Sequence, residues 1–415
     1  MRTRTPILAL AVLLVAACSP QGSGVESTTT EDLAVVTTTT TMAATADRFV
    51  TSTVGGAILV HSGVGEEPIT IEQSAGSVSR QPVWLADGSV LFATVDTAGA
   101  SRLVAANPDS GAMIWDTQLS SRPFYYLPSP PGSATATTSL RNDPGGAGLI
   151  SELVGSDGSV EELSTSSPFY ATWAPDGSQL ATHTRQSLLS IRDATGTRIL
   201  SESTGAFQAP AWVADGLVTL RTTASGQVLS VWSDGSFRDV ASVEGSVRFV
   251  VGGGKAAIQS VPTDDESGGV QAATPAQQLP EIPAGRLSVV DLASGSIEPV
   301  TDVLTPLFQW DPTGSHLLYA TFDTGTTLDF TWHLWSDGQV DDFSSFLAQP
   351  QWFRDVVPFF DQYDQSVSLW SASGEWFAYP AVVDGGPVVV VQPTSGESPM
   401  TIPDATWVAW DRRSR

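Results

Sequence analysis

The chain has 415 residues, 41% of them hydrophobic, which is ample for a large core, and it carries 37 Gly and 27 Pro. Its formal charge of −25 argues against nucleic-acid binding and against docking onto anionic lipid through charge. With Cys18 as the sole cysteine, a disulfide framework, a Cys-rich zinc site and a redox pair are excluded within one chain.

Residues 1–17 begin with Arg2 and Arg4 and continue into the apolar run Ile7 to Ala17. A positive start followed by an apolar run too short to span a bilayer reads as an export signal. The run ends Val15-Ala16-Ala17-Cys18, which resembles the lipobox of bacterial lipoprotein precursors. That resemblance implies cleavage before Cys18, acylation of its thiol and anchoring to a bacterial membrane. Residues 18–47 hold Thr28 to Thr30 and Thr37 to Thr41 among Ser, Gly and Ala. Such a segment cannot bury a core and is expected to be a disordered tether.

From residue 48 to 415 the chain is punctuated by two kinds of turn. The first follows an aromatic strand: Trp84-Leu-Ala-Asp87-Gly88, Trp173-Ala-Pro-Asp176-Gly177, Trp212-Val-Ala-Asp215-Gly216, Trp310-Asp-Pro-Thr-Gly314 and Trp370-Ser-Ala-Ser-Gly374, with weaker copies at Tyr126 to Gly132 and Phe249 to Gly254. Pro presets φ, Asp bonds its own backbone, and Gly takes the left-handed position. The second follows a later strand, as at Asn107 to Gly111, Ser156-Asp157-Gly158, Asp193 to Gly196, Ser233-Asp234-Gly235, Asp291 to Gly295, Ser336-Asp337-Gly338 and Pro393 to Gly396. Two hairpins per unit, repeated about every 40 to 60 residues, predict an all-β chain of four-stranded blades, a single β-propeller.

The stretch Trp173-Ala-Pro-Asp-Gly-Ser-Gln-Leu-Ala resembles the WSPDG repeat of the TolB-like, WD40-like propeller family, and the likeness runs from about Arg48 to the chain end. Only this copy keeps Pro-Asp-Gly intact. Seven complete units are visible, with a leftover C-terminal strand, Ala405 to Asp411, and N-terminal strands Phe49 to Val54, Ala57 to His61 and Pro68 to Glu72. Pairing the two ends closes a ring of eight blades and removes exposed edges. Seven blades is the alternative, because residues 110–160 are weakly patterned.

Two stretches break the period. Residues 262–284 are polar and Pro-rich and read as a mobile loop. Residues 347–366 form an insertion whose centre, Trp352 to Tyr363, is the densest aromatic segment in the chain. It resembles a PFFDQY…LW motif of prokaryotic TolB-like propellers. A connection there lies near the propeller axis, so Arg354, Asp355, Phe359, Phe360, Asp361, Gln362 and Tyr363 are candidate ligand- or partner-binding residues. The other reading of the segment is a hydrophobic plug.

For catalysis, no Gly-x-Ser-x-Gly elbow occurs, and His61, His183, His316 and His333 are scattered. No metal-ligand spacing is present, and Gly252 to Lys255 lacks the spacing of a phosphate loop. The paired acids Asp264-Asp265-Glu266 and Asp341-Asp342 read as solvated faces. The expected role is therefore a non-catalytic, lipid-anchored extracytoplasmic binding or scaffold module. Its expected partner is an envelope protein, peptide or glycan, with no cofactor, no metal and no nucleic acid. The alternatives are a propeller-type lyase or glycosidase using carboxylates near the axis, and an accessory sensor lipoprotein of a transporter or sensor kinase.

Overall fold

The computed structural model describes residues 47–71, 78–143, 146–164, 169–184, 188–201, 208–224, 226–261, 281–282, 286–322 and 329–412. Cys18, the 1–17 signal and nearly all of the 18–47 tether lie outside the described residues, as does the 262–284 loop apart from the pair Glu281–Ile282.

The turn chemistry builds the strands into antiparallel four-stranded sheets. The unit around Trp173 consists of Phe169–Trp173, Leu180–Thr184, Leu188–Asp193 and Gly196–Ser201 in sequence order. At its first turn Asp176 accepts bonds from the Ser178 amide at 2.9 Å and hydroxyl at 2.7 Å, while Gly177 sits at φ +70. These two bonds hold the Asp176 carboxyl below its ordinary value. The same arrangement recurs with Ser89 on Asp87 and Ser159 on Asp157.

The sheets that begin at Val78–Trp84, Pro123–Pro128, Ala211–Val213 and Ser246–Gly252 repeat the meander. Glu281–Ile282 adds a parallel strand beside Ser236–Val243. The weakly patterned 110–160 region supplies two ten-residue strands, Ala134–Asp143 and Gly146–Gly155, to the Pro123 sheet. Two further four-strand sets, starting at Leu307–Trp310 and at the Trp370–Phe377 bridge, are joined through the short strand Phe346–Ala348. The last strand, Ala405–Trp410, pairs with the first, Phe49–Thr53, placing Trp410 opposite Phe49.

The aromatic residues before the turns do more than mark strands. Trp84 donates its indole N–H to Ala409 O at 3.0 Å, Trp173 to Leu127 O at 3.1 Å, Trp212 to Thr172 O at 3.3 Å, Trp370 to Gln309 O at 3.3 Å and Trp407 to Pro82 O at 3.0 Å. Each of these bonds crosses to the leading strand of a neighbouring sheet, so the repeated Trp both fills the inter-sheet core and satisfies a carbonyl there. The turns pack in the same way. A Cβ on Gly314 would lie 2.3 Å from Gly253 N, which explains the glycines of both turns.

The insertion is the exception to the all-β expectation. It forms α1, Pro350–Asp355, a 3₁₀ turn at Val357–Phe359, and α2, Phe360–Tyr363. No helix among the described residues is long and apolar enough to cross a membrane.

Candidate functional site

The insertion lies across the leading ends of the central strands. Phe360 is 2% exposed and packs edge-on against Phe308 at 4.6 Å between centroids, with the Arg248 guanidinium 5.8 Å from its ring centre. Tyr363 packs edge-on against Tyr125 and Trp407 and donates to Phe124 O at 2.7 Å. Gln362 uses its whole amide. Its Nε2 donates to Ala171 O at 3.0 Å and to the Tyr125 hydroxyl at 2.6 Å, while its Oε1 accepts from Ala171 N at 2.9 Å. Asp361 accepts from Ala209 N at 3.2 Å, and Gln365 donates to Pro210 O at 2.8 Å. One short segment therefore touches the leading portions of six sheets, at Tyr125, Ala171, Ala209, Arg248, Phe308 and Trp407.

Glutamine is the recurrent device. In a buried strand, an amide side chain offers one donor and one acceptor at the spacing of a peptide unit, so it substitutes for a missing strand neighbour. Gln309 does this for Val367 O and Leu369 N at 3.1 and 2.8 Å. Gln349 donates to Ala381 O, Val388 O and Ala405 O. No motif marks Gln309 or Gln349 in the sequence; the signal for such a residue is a lone Gln within an apolar run, as in Phe308-Gln309-Trp310.

The seven candidate residues divide into two groups. Phe360, Asp361, Gln362 and Tyr363 are buried in the contacts above. Arg354 and Phe359 are exposed, Phe359 at 47%, and Arg354 forms a two-pronged pair with the half-buried Asp355 at 2.7 and 3.1 Å. Beneath the plug is a cavity of about 20 Å³ bounded by Gln309, Trp352, Phe360, Asp364 and Trp407. Burial pushes the Asp361 carboxyl up and pushes Asp364 up to about 6, with Arg412 opposing the latter. A wider cleft of about 480 Å³ opens at the far ends of the strands, floored by Leu334 and Trp370 and rimmed by His316, Asp337 and Asp341.

The histidines are held by the sheets. His61 stacks on Phe49 at 4.3 Å, bonds Thr51 at 3.1 Å, and burial lowers it to about 4. His183 Nδ1 bonds Gln208 O at 2.8 Å. His316 lies 3.4 Å from Asp311, and His333 bonds Thr321 and Asp342 at 2.8 and 2.6 Å.

No protein-family model and no curated protein sequence matches the chain. Solved structures do resemble it. Dihydro-heme d1 dehydrogenase NirN in complex with DHE overlays on 90% of this chain and 76% of its own, at 11% identity and TM-score 0.57. The C-terminal WD40 domain of Sif2 overlays on 88% of this chain and 92% of its own, at 10% identity and TM-score 0.50. TolB from Acinetobacter baumannii overlays on 80% and 82%, at 14% identity and TM-score 0.37. WD40 repeats are propeller blades, and the successive four-stranded antiparallel meanders described above are the same kind of unit. The described residues of this chain form a β-propeller.

Proposed function

We propose that this chain is a lipid-anchored, extracytoplasmic β-propeller that binds a protein, peptide or glycan partner in the bacterial cell envelope, through the face capped by α1 and α2. The observation that carries this reading is the division of the plug. Its inner side chains are consumed in holding six sheets, while Arg354 and Phe359 stand exposed on the outside. At this face the plug fills the space between the sheets, and the rim loops and the outer side chains of the plug remain as the recognition surface.

We take the count as eight blades, with the Leu307 and Trp370 sets as separate blades and the Phe49–Trp410 pairing as the closing contact. The Val15 to Cys18 sequence supplies the anchor, with Cys18 carrying the lipid and residues 18–47 giving reach from the membrane. A lyase or glycosidase working at the plug would need Asp361 and Asp364 to meet substrate, and the cavity beside Asp364, about 20 Å³, has room for roughly one water.

The test is metabolic labelling with palmitate and membrane fractionation, followed by crosslinking in intact cells. Label and membrane association are expected to vanish in Cys18→Ser, and a discrete crosslinked partner is expected with the anchored wild type. Unchanged labelling in Cys18→Ser removes the anchor, and the absence of any partner removes the binding role.

A further inference from the structure

Cations are scarce in this chain, with 19 Lys and Arg against 44 Asp and Glu. Two of them, Arg80 and Arg122, nevertheless lie close together beside the plug, and Arg354 lies on α1. Arg80 is the third residue of the Val78–Trp84 strand, and Arg122 immediately precedes Pro123–Pro128. Tyr126 ties the first two elements together by donating to Arg80 O at 2.8 Å and to Gln81 O. Tyr363 ties the plug to the second through Phe124 O. Arg122 feels the charges of both Arg80 and Asp355, and partial desolvation followed by Arg80 lowers its guanidinium from the ordinary value. Arg80 and Arg122 are both exposed, and neither has a carboxylate within ion-pair distance among the described residues.

Two further features belong to the same spot. Gln81 sits at φ +49 within a register shift between Arg80 and Val83. The other four non-glycine residues with positive φ are Asp, which tolerates that region, so Gln81 is the unusual one. Bulges of this kind re-aim side chains, and strained backbone concentrates at functional positions. Phe124, two residues after Arg122, and Phe359 on the plug are exposed at 39% and 47%. Arg354 is already paired with Asp355, so the open cations of this mixed apolar and cationic surface are Arg80 and Arg122.

We infer that Arg80 and Arg122, with Phe124 and Phe359, form a docking site for an acidic peptide segment of a partner protein, its carboxylates on the two guanidinium groups and its apolar side chains against the two phenyl rings. This inference rests on the binding role proposed above and names its chemistry. The openness of the patch suits an extended polypeptide, whereas a small anion would need an enclosing cavity. The charge contrast with the rest of the surface repels acidic segments elsewhere and draws them here. Arginine suits the task because its planar fork pairs with carboxylates in two-pronged fashion.

The test uses the full-length lipidated protein in neutral detergent and a fluorescent Glu-rich peptide carrying two Phe, with its Gln-for-Glu and Lys-for-Glu counterparts. The Glu peptide is expected to bind at least about tenfold more tightly than either counterpart. The double variant Arg80→Ala, Arg122→Ala is expected to abolish that preference, while Arg238→Ala, an exposed residue on another sheet, leaves it intact. Equal binding of the three peptides, or a double variant that binds like wild type, overturns the inference. Displacement of the peptide by inorganic phosphate or by phosphatidylglycerol vesicles at equal anion concentration also overturns it, in favour of a small anion or a lipid surface. Crosslinking in intact cells separates the two levels. A partner still captured by the double variant leaves the binding role standing and this site wrong. No partner captured by wild type means that the binding role itself fails.

Discussion

Replacing Gln362 by Ala removes three side-chain bonds at once. The Tyr125 hydroxyl keeps a partner, because it also donates to the Gln362 main-chain oxygen at 3.0 Å. Ala171 does not, since its N–H and C=O on that side are met only by the Gln362 amide, and the residue is 3% exposed. A buried backbone group left without a partner costs about 1–3 kcal/mol, so the two together cost roughly 3–4 kcal/mol after partial relaxation. That is a large share of the roughly 5–15 kcal/mol by which a folded domain is stable. Phe359→Ala, four-tenths or more exposed and outside these contacts, should cost no more than about 0.5 kcal/mol. Gln362→Glu makes the comparison sharper. A carboxylate still accepts from Ala171 N but cannot donate to Ala171 O, so it should be destabilised at neutral pH nearly as far as the Ala variant and recover in part when acid protonates it. Urea unfolding followed by Trp fluorescence reads the midpoints. A Gln362→Ala midpoint no lower than that of Phe359→Ala would refute the claim that the plug holds the sheets through this amide.

Three other outcomes follow from the same contacts. Asp364 has a folded value of about 6 against an ordinary 3.8, so its contribution to stability is complete below pH 3.8 and is lost as pH rises to about 6. Asp364→Asn should therefore be more stable than wild type at pH 7, by about 2–3 kcal/mol at most, and flat between pH 4 and 6 in thermal melts. Trp173→Phe strands Leu127 O and thins an inter-sheet contact, for a loss of about 1–2 kcal/mol. Gly314→Ala meets Gly253 backbone at 2.3–2.5 Å with φ at +70, and a melting-temperature drop corresponding to at least about 2 kcal/mol is expected.

The sequence made the strand skeleton readable because its turns are chemically explicit. An Asp that caps its own turn and a Gly at positive φ act within a few residues, so their message survives without knowledge of the fold. The leftover strands at the two ends were legible for the same reason: an unpaired strand demands a partner, and Ala405–Trp410 finds Phe49–Thr53. The third sheet was harder. Its strand Ala134–Asp143 buries Thr135, Thr137, Thr138 and Ser139, so the usual apolar alternation is missing. The helices of the insertion were not legible either, because α1 and α2 have six and four residues and are broken at Pro358, too short for a helical period to register. The aromatic segment is visible in the sequence as a break in the period, but the split between its buried and exposed halves depends on where six other sheets end. The approach of Arg80 to Arg122 is long-range in the same sense and leaves no local trace.

The most direct measurement of the proposed role is site-specific photo-crosslinking in intact cells, with the probe placed at Phe359 on the plug face or at Asp176, exposed in a turn at the opposite strand ends. Capture of a discrete partner from position 359 and none from position 176 is the predicted result. Capture from position 176 alone, or equal capture from both, would contradict it.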